Sequence, residues 1–179
     1  MRLDSNFCPK NILYRKYIVG IPISFVRINL KIEGYCMQYT LDDNVGWLVY
    51  KARHVLKKRT QDKLKDYGIS SEQWSVLNMV YTKGGCNQKT LAELLLKDGG
   101  TITRILNILE DKELIKREKS LNDKREFLIH LTDKGFDLYN ELLKVMLQNK
   151  QEINSIFSTN EQKQLIFLLN KLFSTLEYK

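Results

Sequence analysis

Little in this sequence interrupts the chain: two prolines and nine glycines are spread over 179 residues. Long uninterrupted elements are therefore expected. Cysteine is scarce as well. Cys8, Cys36 and Cys86 show neither metal-ligand spacing nor a disulfide framework, and they read as reduced thiols. The two histidines, His54 and His130, are too few for a zinc-sensing cluster. The chain has no Gly-rich phosphate loop, no convincing nucleophile–base set and no metal cluster, so neither an enzyme nor a cofactor is expected. No apolar run reaches the roughly 18 residues needed to span a bilayer. The segment YIVGIPISFV comes after Arg15 and Lys16 and is about as long as a signal-peptide core. It lacks a small-residue cleavage site and leads into charged, alternating sequence, so export is rejected and a cytoplasmic protein is expected.

What is present is material for a core and a positive surplus. Hydrophobic residues make up 43% of the chain and charged residues 28%, which suits one domain, or one domain with an appendage. Leu, Lys, Glu, Ile and Asn dominate the later part, which favours helices. The net charge of +8 favours polyanions such as nucleic acid. Half of that surplus lies in residues 1–41, so arrangement rather than charge has to carry the case for DNA.

Residues 1–41 form an N-terminal extension unlike the rest of the chain. Val26, Ile28, Leu30 and Ile32 alternate with Arg27, Asn29, Lys31 and Glu33, a strand pattern with no second strand evident nearby. Two readings fit: an arm that adds to another subunit, or a region translated from too early a start codon, with Met37 opening a self-sufficient segment. Residues 42–66 are expected as one long helix capped by Asp42 or Asp43. Its apolar stripe is Val45, Leu48, Ala52, Val55 and Leu56, and Trp47, Tyr50 and His54 occupy a neighbouring face. Lysines and arginines from Lys51 to Lys65 make the outer face basic. Ser70 and Gln73 have the spacing of a capping box that opens the next helix. Its buried side is Trp74, Leu77 and Val80 or Tyr81, with Val76 and Met79 flanking, and Lys83-Gly84-Gly85 breaks it.

Towards the C-terminus, Thr132 to Phe157 reads as a second long helix with more apolar residues than one stripe needs. Ser158 and Glu161 make a capping box for a last helix, in which Leu165, Leu168, Leu169, Leu172, Phe173 and Leu176 form a broad apolar face. Burial against a second copy is the economical way to cover so much apolar helix.

The organising stretch runs from Asn87 to Gly135. A helix starting at Asn87 or Thr90 places Leu91, Leu94 and Leu95 inward. Next comes a tight turn at Asp98, Gly99 and Gly100, with Asp98 as cap of a second helix over 99–112 whose Ile102, Ile105, Leu106 and Leu109 face the core. Leu114 to Lys119 and Phe127 to Leu131 are strands joined by a turn at Asn122-Asp123. Helix, turn, helix and β-hairpin is the order of a winged helix-turn-helix. The expected fold is mainly α with a small β-wing. Residues 67–131 form the DNA-binding domain, and 42–66 with 132–179 form the helical dimerisation region.

The candidate DNA-binding residues come from that placement. Thr101, Thr103 and Arg104 lie near the start of the second helix: hydroxyls for phosphates or base edges, and a guanidinium that forks onto guanine. Asp123, Lys124 and Arg125 lie at the wing tip, where Asp123 can hold Arg125 as a rigid probe of the narrow minor groove. Plainer readings stay open: Thr101 as a local cap, Arg104 as a surface ion pair, Asp123 as a turn residue beside a solvated Arg125.

From roughly Asp42 to Leu176 the chain resembles the MarR family of transcriptional regulators. The segments SSEQWSVL, QKTLAELL, GTITRILNILEDKELIKRE, NDKRE and LTDKG carry the resemblance, in one order and with the right gaps. It implies a homodimer whose N- and C-terminal helices form the interface and whose two winged helices meet a near-palindromic operator in double-stranded DNA. Thr101, Thr103 and Arg104 would enter the major groove and Arg125 the minor groove. Members are mostly repressors released by small aromatic or phenolic ligands, by oxidation or by metal, and a pocket lined by Trp47, Tyr50 and His54 is the default effector site. Gly99 and Gly100 depart from the family, which often carries Lys or Ser there; they would let the backbone approach a phosphate closely. The peroxide-sensing branch has a cysteine near the start of the first long helix, and this helix has none. The alternatives are a winged-helix protein-interaction module without DNA binding, and thiol-based redox sensing through Cys36 or Cys86.

Overall fold

The computed structural model describes residues 41, 43–120 and 126–177, together with the backbone of 17–18, 21–22, 28–32 and 35–39. The chain divides into two compact units, Met1–Leu56 and Lys57–Lys179.

In the first unit β1 (Tyr17–Ile18) pairs with β2 (Ile21–Pro22), and β3 (Ile28–Ile32) pairs with β4 (Tyr35–Tyr39), both antiparallel. The single strand expected around Ile28 is thus one arm of a hairpin, with Ile32 opposite Tyr35. Its partner YCMQY places Cys36 and Met37 side by side and so lacks the strict alternation that marks a strand in sequence. The long helix α1 (Val45–Leu64) starts one to two residues later than a cap at Asp42 or Asp43 would place it. Asn44 caps it: the Trp47 amide donates to Asn44 Oδ1 at 2.9 Å.

The second unit is built from the later part of α1, from Lys57 on, and from α2 (Ser71–Lys83), β5 (Cys86–Asn87), α3 (Gln88–Leu94), α4 (Gly99–Asp111), β6 (Ile115–Lys119), β7 (Phe127–Leu131), α5 (Asp133–Asn154) and α6 (Thr159–Glu177). A short 3₁₀ turn, Lys65–Tyr67, follows the end of α1. Three strands form one antiparallel sheet in the order β5-β7-β6, with Cys86 opposite Ile129 and Ile115 opposite Leu131. The two-residue strand β5 is not legible in sequence, because Cys86-Asn87 is too short to show any period.

The core is continuous through this unit. Leu64, Val76, Leu77, Val80, Leu91, Ile102, Leu106, Leu109, Ile129 and Leu142 are all fully buried. Val76 belongs to it rather than to a flank, and Tyr81 is exposed. Tyr81 instead stacks on Tyr139 of α5 at 4.1 Å, and Trp74 also stacks on Tyr139, at 5.4 Å. Leu94 is also exposed, because α3 ends there and only Leu91 of its residues is buried.

Local chemistry sets the boundaries. Ser70 and Gln73 form the expected reciprocal capping box at α2, and Ser158 with Glu161 does the same at α6. Thr132 caps α5 by accepting from the Gly135 amide, and its own hydroxyl donates to the Glu113 carbonyl at 2.6 Å. Gly135 is required by space: a Cβ there would lie 1.9 Å from the Leu114 carbonyl oxygen. Only glycine lets α5 start this close to the turn that leaves α4. At Gly85, φ is +111° and a Cβ would meet the His130 ring at 2.3 Å, so this glycine lets α2 turn directly into β5 beneath that side chain.

Both ends of the helix-turn-helix are closed without glycine. After α3, the Leu96 amide donates to Glu93 O and the Lys97 amide to Ala92 O. After α4, the Glu113 amide donates to Glu110 O and the Leu114 amide to Leu109 O. Each is a Schellman closure with a left-handed residue where glycine is usual: Leu96 at φ +50° and Glu113 at φ +59°. The turn between the two helices therefore lies at Leu95 to Asp98, not at Asp98 to Gly100, and both glycines are already helical.

The remaining helices bury little in one chain. No described residue of α6 is buried; Ile156 just before it, and Phe167 and Leu176 within it, are 73%, 66% and 67% exposed. In α1, Val45, Leu48, Val55 and Leu56 are exposed and only Leu64 is buried. Three basic residues of the later part of α1, Lys57, Arg59 and Lys63, form ion pairs while staying partly exposed. Arg59 Nε donates to the buried Asn149 Oδ1 at 2.9 Å, and Arg59 and Lys63 both pair with Glu152. Lys57 meets Glu72 at 3.0 Å, and the same carboxylate takes Lys97 of the turn before α4 at 3.2 Å.

Candidate nucleic-acid interface

Helix α4 is strongly two-sided. Ile102, Ile105, Leu106 and Leu109 are buried, and Gly100, Arg104, Asn107 and Asp111 are exposed on the opposite side. Thr101 and Thr103 lie on the flanks, half-buried. Asp98 fixes where the helix begins: the Thr101 amide donates to Asp98 Oδ1 at 2.8 Å and the Thr101 hydroxyl to Asp98 Oδ2 at 2.7 Å. These two bonds from Thr101 hold the Asp98 carboxyl below its ordinary range and so keep it charged. A carboxylate thus already occupies the positive end of α4. That works against Gly99 and Gly100 offering bare amides to a phosphate.

Thr103 is equally committed. Its hydroxyl donates to the Gly99 carbonyl at 2.8 Å and accepts from Gln88 Nε2 at 2.7 Å. Gln88 Nε2 also reaches Gly99 O at 3.3 Å, so the first residue of α3 braces the first turn of α4. Nothing in the sequence marks Gln88; its place three residues before the inward Leu91 is compatible with any exposed role. Arg104 is exposed and makes no ion pair with any described residue. Thr101 therefore matches the local-cap reading, whereas Arg104 does not match the ion-pair reading among the described residues.

A second residue absent from the sequence-based set joins the wing to this surface. Arg117 of β6 donates through Nη1 to Glu110 Oε2 and through Nη2 to Asn107 Oδ1, each at 2.7 Å. The planar fork of one guanidinium thereby spans α4 and the wing strand. At the foot of the wing, the Ser120 amide donates to Glu126 O at 2.9 Å, and Asn87 Nδ2 donates to Glu126 Oε2 at 3.3 Å. Asp123, Lys124 and Arg125, and the turn at Asn122-Asp123, lie outside the described residues.

The other candidate residues are less assembled. Trp47 and Tyr50, one helical turn apart on α1, stack at 5.4 Å with their rings 17° from parallel. Tyr50 and His54 are exposed and Trp47 is half-buried. Among the described residues no group of three or more His, Cys, Asp and Glu side chains could hold a metal ion. Cys86 is buried, and burial pushes its thiol above the ordinary range, the opposite of a reactive thiolate. No helix among the described residues is long and apolar enough to cross a membrane.

Comparison with known proteins points the same way as this geometry. The MarR family profile matches residues 69–127, from the residue before the cap of α2 to the first residue of β7. The HTH-type transcriptional regulator MgrA of Staphylococcus aureus is 32% identical over 136 residues, covering 75% of this chain and 91% of that protein. The regulator YkoM of Bacillus subtilis is 32% identical over 107 residues, or 60% of this chain and 70% of its own length. Among solved structures, the S. aureus MepR–DNA complex is similar with a TM-score of 0.69 and 28% identity, over 74% of this chain and 98% of that one. A mutant MarR from E. coli complexed with operator DNA has a TM-score of 0.68 and 26% identity, over 72% of this chain and 92% of that one. Identity of this order across nine-tenths of a relative, on a fold with the same helices and wing, places the chain in the MarR family of winged-helix transcriptional regulators.

Proposed function

We propose that this protein is a cytoplasmic, sequence-specific regulator that binds double-stranded DNA as a homodimer, most simply a repressor released by a small ligand, and that it has no catalytic activity. The observation that carries the reading is the solvent face of α4, where Arg104 stands exposed on a helix start locked by Asp98 and Gln88. A rigid helix with a guanidinium aimed outward is what major-groove reading of guanine requires. The relatives seen on DNA, MepR and MarR, are similar over this whole region.

Homodimerisation gives the second half-site. The unburied apolar residues of α5, α6 and the turn between them, with Ile156, Phe167 and Leu176 among them, are supplied for a second copy. Two recognition helices about 34 Å apart enter successive major grooves on one side of the duplex. A small aromatic effector meeting Trp47, Tyr50 and His54 would favour another separation, and it shifts the population only by its differential affinity for the two states. Asp123, Lys124 and Arg125 are assigned to the wing's part of the interface, with Arg125 as the group that would enter the minor groove.

The test is retention of genomic DNA fragments by the purified protein, followed by anisotropy titration of the recovered site. Affinity is expected to fall with salt with a log–log slope of about −0.9 for each phosphate neutralised. Arg125→Ala is expected to weaken binding at least about tenfold, near 1.4 kcal/mol, with the dimer intact by light scattering. A flat salt response would overturn DNA binding by this surface, and undiminished affinity of the variant would remove the wing from it.

A further inference from the structure

The two threonines at the start of α4 have their hydroxyl donors spent inside the protein. Thr101 donates to Asp98 Oδ2 at 2.7 Å, as part of the bond set that starts the helix. Thr103 donates to the Gly99 carbonyl at 2.8 Å, and its oxygen is also held by Gln88 Nε2 at 2.7 Å. Redirecting either hydroxyl to a base edge would unpair a charged cap acceptor in one case. In the other it would leave the Gly99 carbonyl with only the longer side-chain bond, from Gln88 Nε2 at 3.3 Å. What is left on Thr103, besides one acceptor lone pair of the hydroxyl, is the Cγ2 methyl.

The major groove offers one apolar landmark, the C5-methyl of thymine. We propose that Thr103 reads DNA through its methyl group, selecting thymine by apolar contact, while its hydroxyl serves only to hold the helix start and Arg104 supplies the hydrogen-bond donors of the first turns. This rests on the reading that α4 enters a DNA groove. It assigns Gln88 as a positioning residue for Thr103, not as a DNA contact. It also accounts for the polarity of the site: beside the ionised Asp98, a group that reads by shape and not by accepting protons avoids competing with a carboxylate for the same donors.

The experiment needs no change to the protein in its first arm. In the selected duplex, single thymines are replaced by deoxyuridine, which removes only the C5-methyl. One half-site position is expected to lose about fourfold in affinity, the worth of one buried methyl-sized group. The second arm compares Thr103→Val, which keeps a methyl and loses the hydroxyl, with Thr103→Ser, which does the reverse. The Val variant is expected to lose affinity with the brace on both duplexes but to keep the thymine-over-deoxyuridine preference, while the Ser variant binds both duplexes alike, each below wild type on thymine. Thermal melting of both variants controls for folding.

Selective binding with no deoxyuridine effect at any position would overturn methyl reading alone. So would a Ser variant that retains both affinity and preference while the Val variant loses them. Wild-type protein that prefers no duplex over another would overturn the underlying DNA-binding reading instead.

Discussion

The winged-helix block and the C-terminal helix α6 have similar helical material and opposite fates in a single chain. In α4, the apolar stripe is fully covered by α2, α3 and the sheet. In α6, an equally apolar stripe from Leu165 to Leu176 has no buried member. The difference does not lie in propensity or capping, since both helices have well-formed N-caps at Asp98 and Ser158. It lies in what the chain itself provides to pack against. A block whose faces close on each other is stable alone, whereas an uncovered face makes stability depend on a second copy and hence on concentration. That division suits a switch: a rigid reading head, carried on helices whose pairing with another molecule sets its position.

Four substitutions would break or sharpen this contrast. The largest effect is expected for Leu106→Ala, which empties a fully buried site. It should cost about 2–5 kcal/mol in urea unfolding at any protein concentration. Its counterpart Leu169→Ala should cost about 2 kcal/mol per copy only where the protein is dimeric, and should vanish on dilution into the monomer range. A concentration-independent cost at Leu169 would show that α6 is covered within one chain and would end the comparison.

A smaller and opposite effect is expected inside the block. Leu96 is 69% exposed and left-handed, so Leu96→Gly removes backbone strain while sacrificing little packing. A gain of up to about 1 kcal/mol, read as a rise in melting temperature, should result. A loss would mean that the Leu96 side chain makes a contact with a partner.

The smallest effect concerns pH. Hydrogen bonds and charge from Lys57 first, then Lys97, hold the Glu72 carboxyl below its ordinary range, although its own partial burial opposes them. A carboxyl depressed in the folded state adds stability above its unfolded-state value and loses it as pH falls through the folded one. Wild type should therefore lose stability on the acid side, and Glu72→Gln should flatten that limb by the same amount at any protein concentration. An unchanged acid limb would show that this three-way tie is solvent-screened to nothing.

Much of the block is legible in sequence because local chemistry and period agree. Ser70-Gln73, Asp98, Thr132 and Ser158-Glu161 cap where their residue types say they should. The spacing of Ile102, Ile105, Leu106 and Leu109 names the buried face of α4 correctly. The misses have one character. Two adjacent glycines draw the expected turn toward Gly100, but two Schellman closures tolerate Leu96 and Glu113 in the left-handed region instead. The strand β5 is two residues long and exists only because β7 lies beside it. In the candidate interface, Thr101, Thr103 and Arg104 are legible from their place on α4, and Gln88 and Arg117 are not. Their hydrogen bonds join residues on different elements, 15 residues apart for Gln88 with Thr103 and 10 for Arg117 with Asn107.

The sequence by itself determined the elements: their periods, most of their caps, and the helix, turn, helix and hairpin order that identifies the family. These depend on neighbours within about one turn, which any stretch of chain carries with it. Only the tertiary structure decided that Gly135 had to be glycine, because the obstruction is the carbonyl of Leu114. It also decided that Thr103 holds its hydroxyl inward, because the acceptor and donor that claim it, Gly99 O and Gln88 Nε2, come together only when α3 and α4 pack.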